Sequence, residues 1–141
     1  MKHAVVKFEI PLKGGKMSIG AGFFINNRGW VATNNHVIKQ ATSATRVKME
    51  DGTQCSVKGI VAVAPDQDLA IVALEDPPLR VTVLDIQFER DLKLGEPVSA
   101  MGHPHNLSFS LVSGNVGRVA TTRELLADRP NPVLQSMKAP A

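Results

Sequence analysis

The sequence predicts an all-β fold, and two features of its composition carry that prediction. Sixteen valines, seven isoleucines and seven threonines make up about a fifth of the 141 residues, and these β-branched side chains suit a pleated sheet better than a helix. Eleven glycines and nine prolines are enough to end many short strands with turns. The length is that of one ordinary domain.

Apolar or alternating runs, each ended by Gly, Pro, Asn or Asp, predict strands in the first part of the chain. These runs are Ala4–Ile10, Gly20–Ile25, Trp30–Thr33, Thr45–Met49, Thr53–Ala64, Leu69–Leu74 and Val81–Ile86. Gly59 marks a bend or bulge in the longest run. The run Leu69–Leu74 is apolar enough to be buried on both faces, and Asn34–Gln40 lacks alternation and predicts one short helical turn. Val81–Ile86 is expected to close a first barrel of about six strands over residues 1–90.

Residues 91–141 predict a second, incomplete unit. The expected strands are Pro97–Met101, Phe109–Val119 and Val133–Met137. About three strands are too few to close a barrel. The sequence therefore predicts a complete first barrel and a truncated second one.

Several classes of protein are excluded by the distribution of apolar and charged residues. No run approaches 18 apolar residues, so no membrane span is predicted, and Lys7 interrupts the apolar start before it could serve as a signal peptide. The net charge of +3 is scattered, which argues against nucleic acid as a partner. Cys55 is alone, so it forms no intramolecular disulfide and is expected to be a small apolar filler on a strand.

One histidine and one aspartate form the candidate catalytic pair, His36 and Asp68. His36 directly follows a predicted strand, and Asp68 directly precedes the most apolar one. A histidine that acts as a general base needs a carboxylate on Nδ1–H, which leaves Nε2 free to take a proton. From the spacing alone, a structural histidine and an aspartate that begins a strand remain the simpler interpretation.

The other histidines favour neither a metal nor a cofactor. His3 lies at the chain terminus, and His103 and His105 flank Pro104 in a predicted loop. That loop contains no Cys, Asp or Glu as a third ligand, which zinc would require. The sequence therefore predicts no metal site and no cofactor.

Five segments of the sequence carry a family resemblance: Gly20–Ile25, Gly29–Ile38, Asp68–Val72, Leu94–Pro104 and Ser113–Gly117. In this order they are similar to the strings G-S-G-F-I-I, T-N-N-H-V, D-[IL]-A-[LV]-[LI], L-G-x-x-V-x-A-I-G-N-P and T-x-G-x-V-S. These strings belong to trypsin-like serine proteases of the bacterial HtrA type. The resemblance extends from about Val5 to Gln135, in the family's order and at fitting intervals.

The resemblance implies a trypsin-like double β-barrel that hydrolyses peptide bonds through an acyl-enzyme. It implies that His36 is the general base, that Asp68 orients its ring and that Thr33 tethers the short turn. Val37 stands where many animal enzymes of this class carry a disulfide cysteine, and His103 replaces the usual Asn of G-N-P. Protein or peptide substrates, no cofactor, and a periplasmic or other extracytoplasmic location are also implied.

The family's nucleophile loop, G-[ND]-S-G-G-P, does not occur in these 141 residues, and none of the eight serines precedes Gly-Gly. Val133–Pro140 resembles the segment that comes shortly before that loop. Two interpretations stay open: a portion of a longer protease, inactive by itself, or a protease-derived binding module.

The strands of the incomplete second unit would expose edges and apolar side chains, so self-association of the chain is expected.

Overall fold

The computed structural model describes residues 1–87, 90–104, 107–120 and 123. These residues contain eight strands and one short α-helix, α1, at Asn35–Lys39. The strands are β1 Val5–Pro11, β2 Met17–Phe24, β3 Trp30–Thr33, β4 Arg46–Met49, β5 Gln54–Ala64, β6 Leu69–Glu75, β7 Pro97–Gly102 and β8 Ser110–Asn115. The predicted all-β class is confirmed, and so is the helical turn after β3.

Strands β1 to β6 form a closed barrel in the order β1-β2-β3-β6-β5-β4, with antiparallel pairing throughout. The alternation of β1 explains how the barrel is filled, because Val6, Phe8 and Ile10 are completely buried. Between them, Lys7 and Glu9 point outwards and form an ion pair. One strand thus supplies both the core and a charged outer face.

A tight turn joins β2 to β3, and the sequence specifies it. The Asn26 side-chain oxygen accepts hydrogen bonds from the backbone N–H groups of Arg28 and Trp30, at 2.9 and 3.2 Å. Gly29 has φ +84°, and a Cβ there would lie 2.5 Å from the ring of Pro77. Only glycine combines that backbone conformation with so little space. The turn therefore fixes the register in which β3 pairs with β2, and with it the position of α1, which follows β3.

Two expectations about this barrel are wrong. Val81–Ile86 forms no strand, because β1 pairs with β4 and closes the barrel without it; the segment instead runs past β2, where the Leu84 N–H donates to the carbonyl of Phe24. Strand β6 is buried on one face only, since Leu69 is exposed while Ala70 and Val72 are buried. The expected irregularity at Gly59 is confirmed by register shifts in the pairing of β5 with β6.

The chain divides into two compact units, Met1–Phe88 with Ala100–Val112, and Glu89–Ser99 with Ser113–Ala141. Strands β7 and β8 pair in a two-stranded sheet. In the second unit, the Gly95 N–H donates to the Val116 carbonyl at 2.7 Å and the Val116 N–H donates to the Glu96 carbonyl at 2.8 Å.

Some expectations about the second part of the chain stay predictions. The predicted strand Val133–Met137 lies outside the described residues, and the predicted division into domains 1–90 and 91–141 is untested. Within the described part of the chain, no helix is long and apolar enough to cross a membrane.

Candidate active site

His36 lies in α1, shortly after β3, and two contacts to β2 hold this part of the chain. The Thr33 hydroxyl donates to the Ala21 carbonyl of β2 at 2.7 Å, which matches the tether that the family resemblance implies. Helix α1 begins two residues later, and Val37 packs against Gly20 of β2. The ring of His36 therefore projects from a turn whose two flanking residues are fixed to the barrel.

Asp68 lies between a 3₁₀ turn at Pro65–Gln67 and the start of β6, in the left-handed region with φ 54° and ψ 45°. Asparagine and aspartate occupy this region more readily than most residues, because their short polar side chains can bond locally. Its backbone carbonyl accepts two hydrogen bonds, from the Asn34 side-chain amide at 3.0 Å and from the Asn35 N–H at 3.2 Å. Both donors come from the turn that carries His36.

The Asp68 carboxylate binds His36 through both of its oxygens. One oxygen accepts from the His36 backbone N–H at 2.8 Å and the other lies 2.6 Å from ring Nδ1. The hydrogen bond from the ring is the main cause that lowers the pKa of the Asp68 carboxyl below its ordinary value. An ionised carboxylate can only accept, so Nδ1 carries a proton, and in the neutral ring Nε2 then offers a lone pair.

The pair remains open to an incoming group. The His36 side chain is 68% exposed and the Asp68 side chain is 45% exposed. The expectation that the two side chains lie within hydrogen-bonding distance is confirmed. Their catalytic roles stay predictions.

Known proteins match this chain both in sequence and in fold. The sequence profile of the trypsin-like peptidase domain matches residues 20–137. The chain belongs to the trypsin-like peptidase family. The match includes α1 with His36, Asp68, and both strands of the two-stranded sheet.

Curated relatives of this chain include serine endoproteases of the DegP type. A probable periplasmic DegP-like serine endoprotease of Marinomonas is 33% identical over 126 residues, which cover 89% of this chain and 26% of the relative. The periplasmic serine endoprotease DegP of Escherichia coli is 32% identical over 101 residues, which cover 71% of this chain and 21% of that protein. The chain thus spans about a quarter or less of the relatives it matches.

A solved structure shows the same fold. The serine endoprotease from Yersinia pestis superposes with a TM-score of 0.72 at 25% sequence identity, over 84% of this chain and 42% of that one. The predicted fold class, a trypsin-like double β-barrel with a complete first barrel and a partial second one, is confirmed by this match together with the six-stranded closed barrel.

The remaining histidines take other places. His103 is partly buried, and both of its ring nitrogens are engaged: Nε2–H donates to the Val6 carbonyl at 3.0 Å, and Nδ1 accepts from the Phe109 N–H at 2.8 Å. Burial lowers the pKa of His103. His3 Nδ1 lies 3.5 Å from a carboxylate oxygen of Glu50, and His105 lies outside the described residues. No group of three or more potential metal ligands occurs in the part of the chain that the structure describes.

Cys55 is buried on β5, where its thiol lies 3.8 Å from the Asp76 carbonyl. Burial raises the pKa of the Cys55 thiol, which keeps it protonated and unreactive. The expectation that Cys55 is a buried filler on a strand is confirmed.

The sequence analysis missed one residue of the site, Asn34, which appeared there only as one letter of a matching string. Its side-chain amide donates to the Asp68 carbonyl.

Proposed function

We propose that this chain carries the general-base part of a serine endopeptidase site that hydrolyses peptide bonds in protein substrates. His36 accepts the proton of a serine hydroxyl through Nε2, and Asp68 holds the ring and stabilises the imidazolium that forms. The single observation that supports the proposal most is the two-oxygen contact of Asp68 with the backbone and the ring of His36. Three of the relatives are named serine endoproteases, which supports the reaction class.

The nucleophile and the oxyanion hole lie outside these residues in this proposal. A serine attacks the substrate carbonyl, the proton moves to His36 Nε2, and the same proton later protonates the leaving amine. Backbone N–H groups of a Gly-rich serine loop would stabilise the oxyanion, and the 141 residues contain no such loop. We therefore expect the chain by itself neither to cleave casein nor to react with a fluorophosphonate probe. Labelling of any of its serines would contradict the proposal.

The coding sequence after residue 141 provides the first test. A G-N-S-G-G-P loop shortly downstream supports the proposal, and an immediate stop codon contradicts it. In the longer protein, Asp68→Asn is expected to lower kcat about 10⁴-fold, as the same change does in a Ser-His-Asp triad. The matched control is Asp51→Asn, which removes another carboxylate that accepts a backbone N–H, in the turn between β4 and β5. Equal activity of both variants would exclude the assigned role of Asp68.

A non-catalytic binding module is the second candidate function. A module without catalysis would use the barrel as a scaffold, and its binding would not depend on His36. Three of the relatives are named as periplasmic, which supports an extracytoplasmic location under either function. His36→Ala separates the two functions, since it abolishes hydrolysis in a protease and leaves partner binding intact in a binding module.

A further inference from the structure

The backbone of Asp68 is in a conformation that needs support. A residue with a side chain rarely occupies the left-handed region, because Cβ approaches the following carbonyl oxygen, and φ of 54° with ψ of 45° places Asp68 within it. Such conformations persist when the surroundings hold them. The conformation matters here because it decides where the carboxylate points, and therefore whether it can meet both the backbone and the ring of His36.

The support comes from the turn that carries His36. The Asn34 side-chain amide donates to the Asp68 carbonyl at 3.0 Å, and the Asn35 backbone N–H donates to the same oxygen at 3.2 Å. The Asn35 bond is available to any residue at that position, whereas the Asn34 bond depends on a carboxamide. The carbonyl and the carboxylate of Asp68 are thus both bound by one stretch of three residues.

Asn34 occupies the residue before α1, where asparagine usually caps a helix. A cap would use the side-chain oxygen to accept from the first helical N–H groups, and Asn34 makes no such bond. Its amide is directed instead at Asp68, 34 residues further along the chain. The choice of asparagine is therefore explained by a donor function rather than by an acceptor function.

We propose that Asn34 is a positioning residue, whose side-chain amide holds the Asp68 backbone so that the carboxylate orients the ring of His36. The proposal rests on the proposed function for its significance, since the orientation matters only if His36 acts as a base. The effect of Asn34 on Asp68 itself can be measured without an activity assay.

The test measures which ring nitrogen of His36 carries the proton, by long-range ¹H–¹⁵N NMR correlation in the 141-residue chain above the pH at which the ring protonates. A histidine in water favours the proton on Nε2, so a proton on Nδ1 is a signature of the bond to Asp68. The wild type is expected to show the Nδ1–H form. Asn34→Ala is expected to shift the ring towards the Nε2–H form and to move the pKa of Asp68, followed through its carboxyl ¹³C signal, back towards its ordinary 3.8.

Two further variants separate positioning from helix capping and from general loss of stability. Asn34→Ser keeps a good capping residue, but its shorter side chain cannot reach the Asp68 carbonyl, so it should behave like Asn34→Ala. Asn26→Ala removes an asparagine that accepts two backbone bonds in a different turn. It should lower the thermal stability while the His36 ring keeps its Nδ1 proton.

The outcomes distinguish the two proposals. If the wild type has the Nδ1–H form and both Asn34 variants keep it, the positioning role of Asn34 is overturned and the proposed function stands. If Asn34→Ser keeps the Nδ1–H form while Asn34→Ala loses it, capping explains Asn34 and the positioning role is again overturned. A wild type with the Nε2–H form would instead contradict the general-base assignment of His36 itself.

Discussion

The contact between Gly20 and Val37 joins β2 to the helix that carries His36, and it can be tested by its response to a single methyl group. A Cβ added at Gly20 would lie 2.6 and 2.7 Å from the two methyl carbons of Val37. Contacts of that length do not occur between real side chains, so one of the two elements must move. Val37 is 5% exposed and has little room to adjust. We therefore predict that Gly20→Ala destabilises the barrel through Val37.

The expected changes in the free energy of unfolding follow from the contact between Gly20 and Val37. Overpacking of this kind costs about 2 kcal/mol at the middle of its usual range, and replacing glycine within a strand returns about 0.7 kcal/mol, so the net loss from Gly20→Ala is about 1.3 kcal/mol. Val37→Ala removes two buried methyl groups, at about 0.8 kcal/mol each, or about 1.6 kcal/mol. In the double variant the new methyl group occupies the space that Val37 vacates, and the expected loss is about 1 kcal/mol. The interaction energy is then about 2 kcal/mol, within the range for residues in contact.

Urea unfolding of the four proteins, followed by far-ultraviolet circular dichroism, measures this cycle. Gly59→Ala is the matched control, because a Cβ at Gly59 has no atom within 4 Å and the residue has no positive φ. It should leave the free energy of unfolding unchanged or raise it. If Gly20→Ala is as stable as the wild type, or if the two single losses add in the double variant, the steric argument is refuted.

Two further predictions concern the outer face of the barrel and the second sheet. The hydrogen bond from Lys48, assisted by Lys7, lowers the pKa of Glu9 from 4.5; the stability that this carboxylate contributes is therefore complete above that value and lost as the pH falls through the folded-state pKa. As the pH is lowered, the free energy of unfolding should fall less steeply in Glu9→Gln than in the wild type. An equal dependence on pH in the two proteins would contradict the assignment. Leu111 and Val112 on β8 are 55% and 64% exposed, so we predict that the chain self-associates at micromolar concentration and that replacing both by lysine reduces this; a wild type that is monodisperse and monomeric by light scattering would refute it.

The strands of the first barrel were readable from local patterns. The alternation of Val6, Phe8 and Ile10 with charged residues predicts one buried face, and that face is the core. The turn at Asn26–Gly29 was equally local, because asparagine and glycine supply the bonds and the positive φ that it needs. Patterns of this kind depend on neighbours within a few positions, which is why they survive without tertiary information.

Closure of the barrel depends on contacts between distant residues, and the prediction made from the sequence was wrong there. Val81–Ile86 alternates well enough for a strand, yet the pairing of β1 with β4, about 40 residues apart, leaves no open edge for it. The apolar run of β6 likewise predicted burial on both faces, whereas its outer face lies at the barrel surface. Propensity describes what a segment can form, and the competition among distant strands decides what it does form.

In the candidate site, too, some features were predictable from the sequence and others depended on contacts between distant residues. The residues around His36 and Asp68 resembled a known family, and this resemblance singled out the two side chains that the structure places 2.6 Å apart. The spacing of 32 residues could not by itself give that distance. Only the tertiary structure revealed the left-handed backbone of Asp68 and the amide of Asn34 on its carbonyl. A hydrogen bond between residues 34 positions apart exists only after the barrel has brought β3 beside β6, because backbone pairing of those strands sets the distance between the loops at their ends.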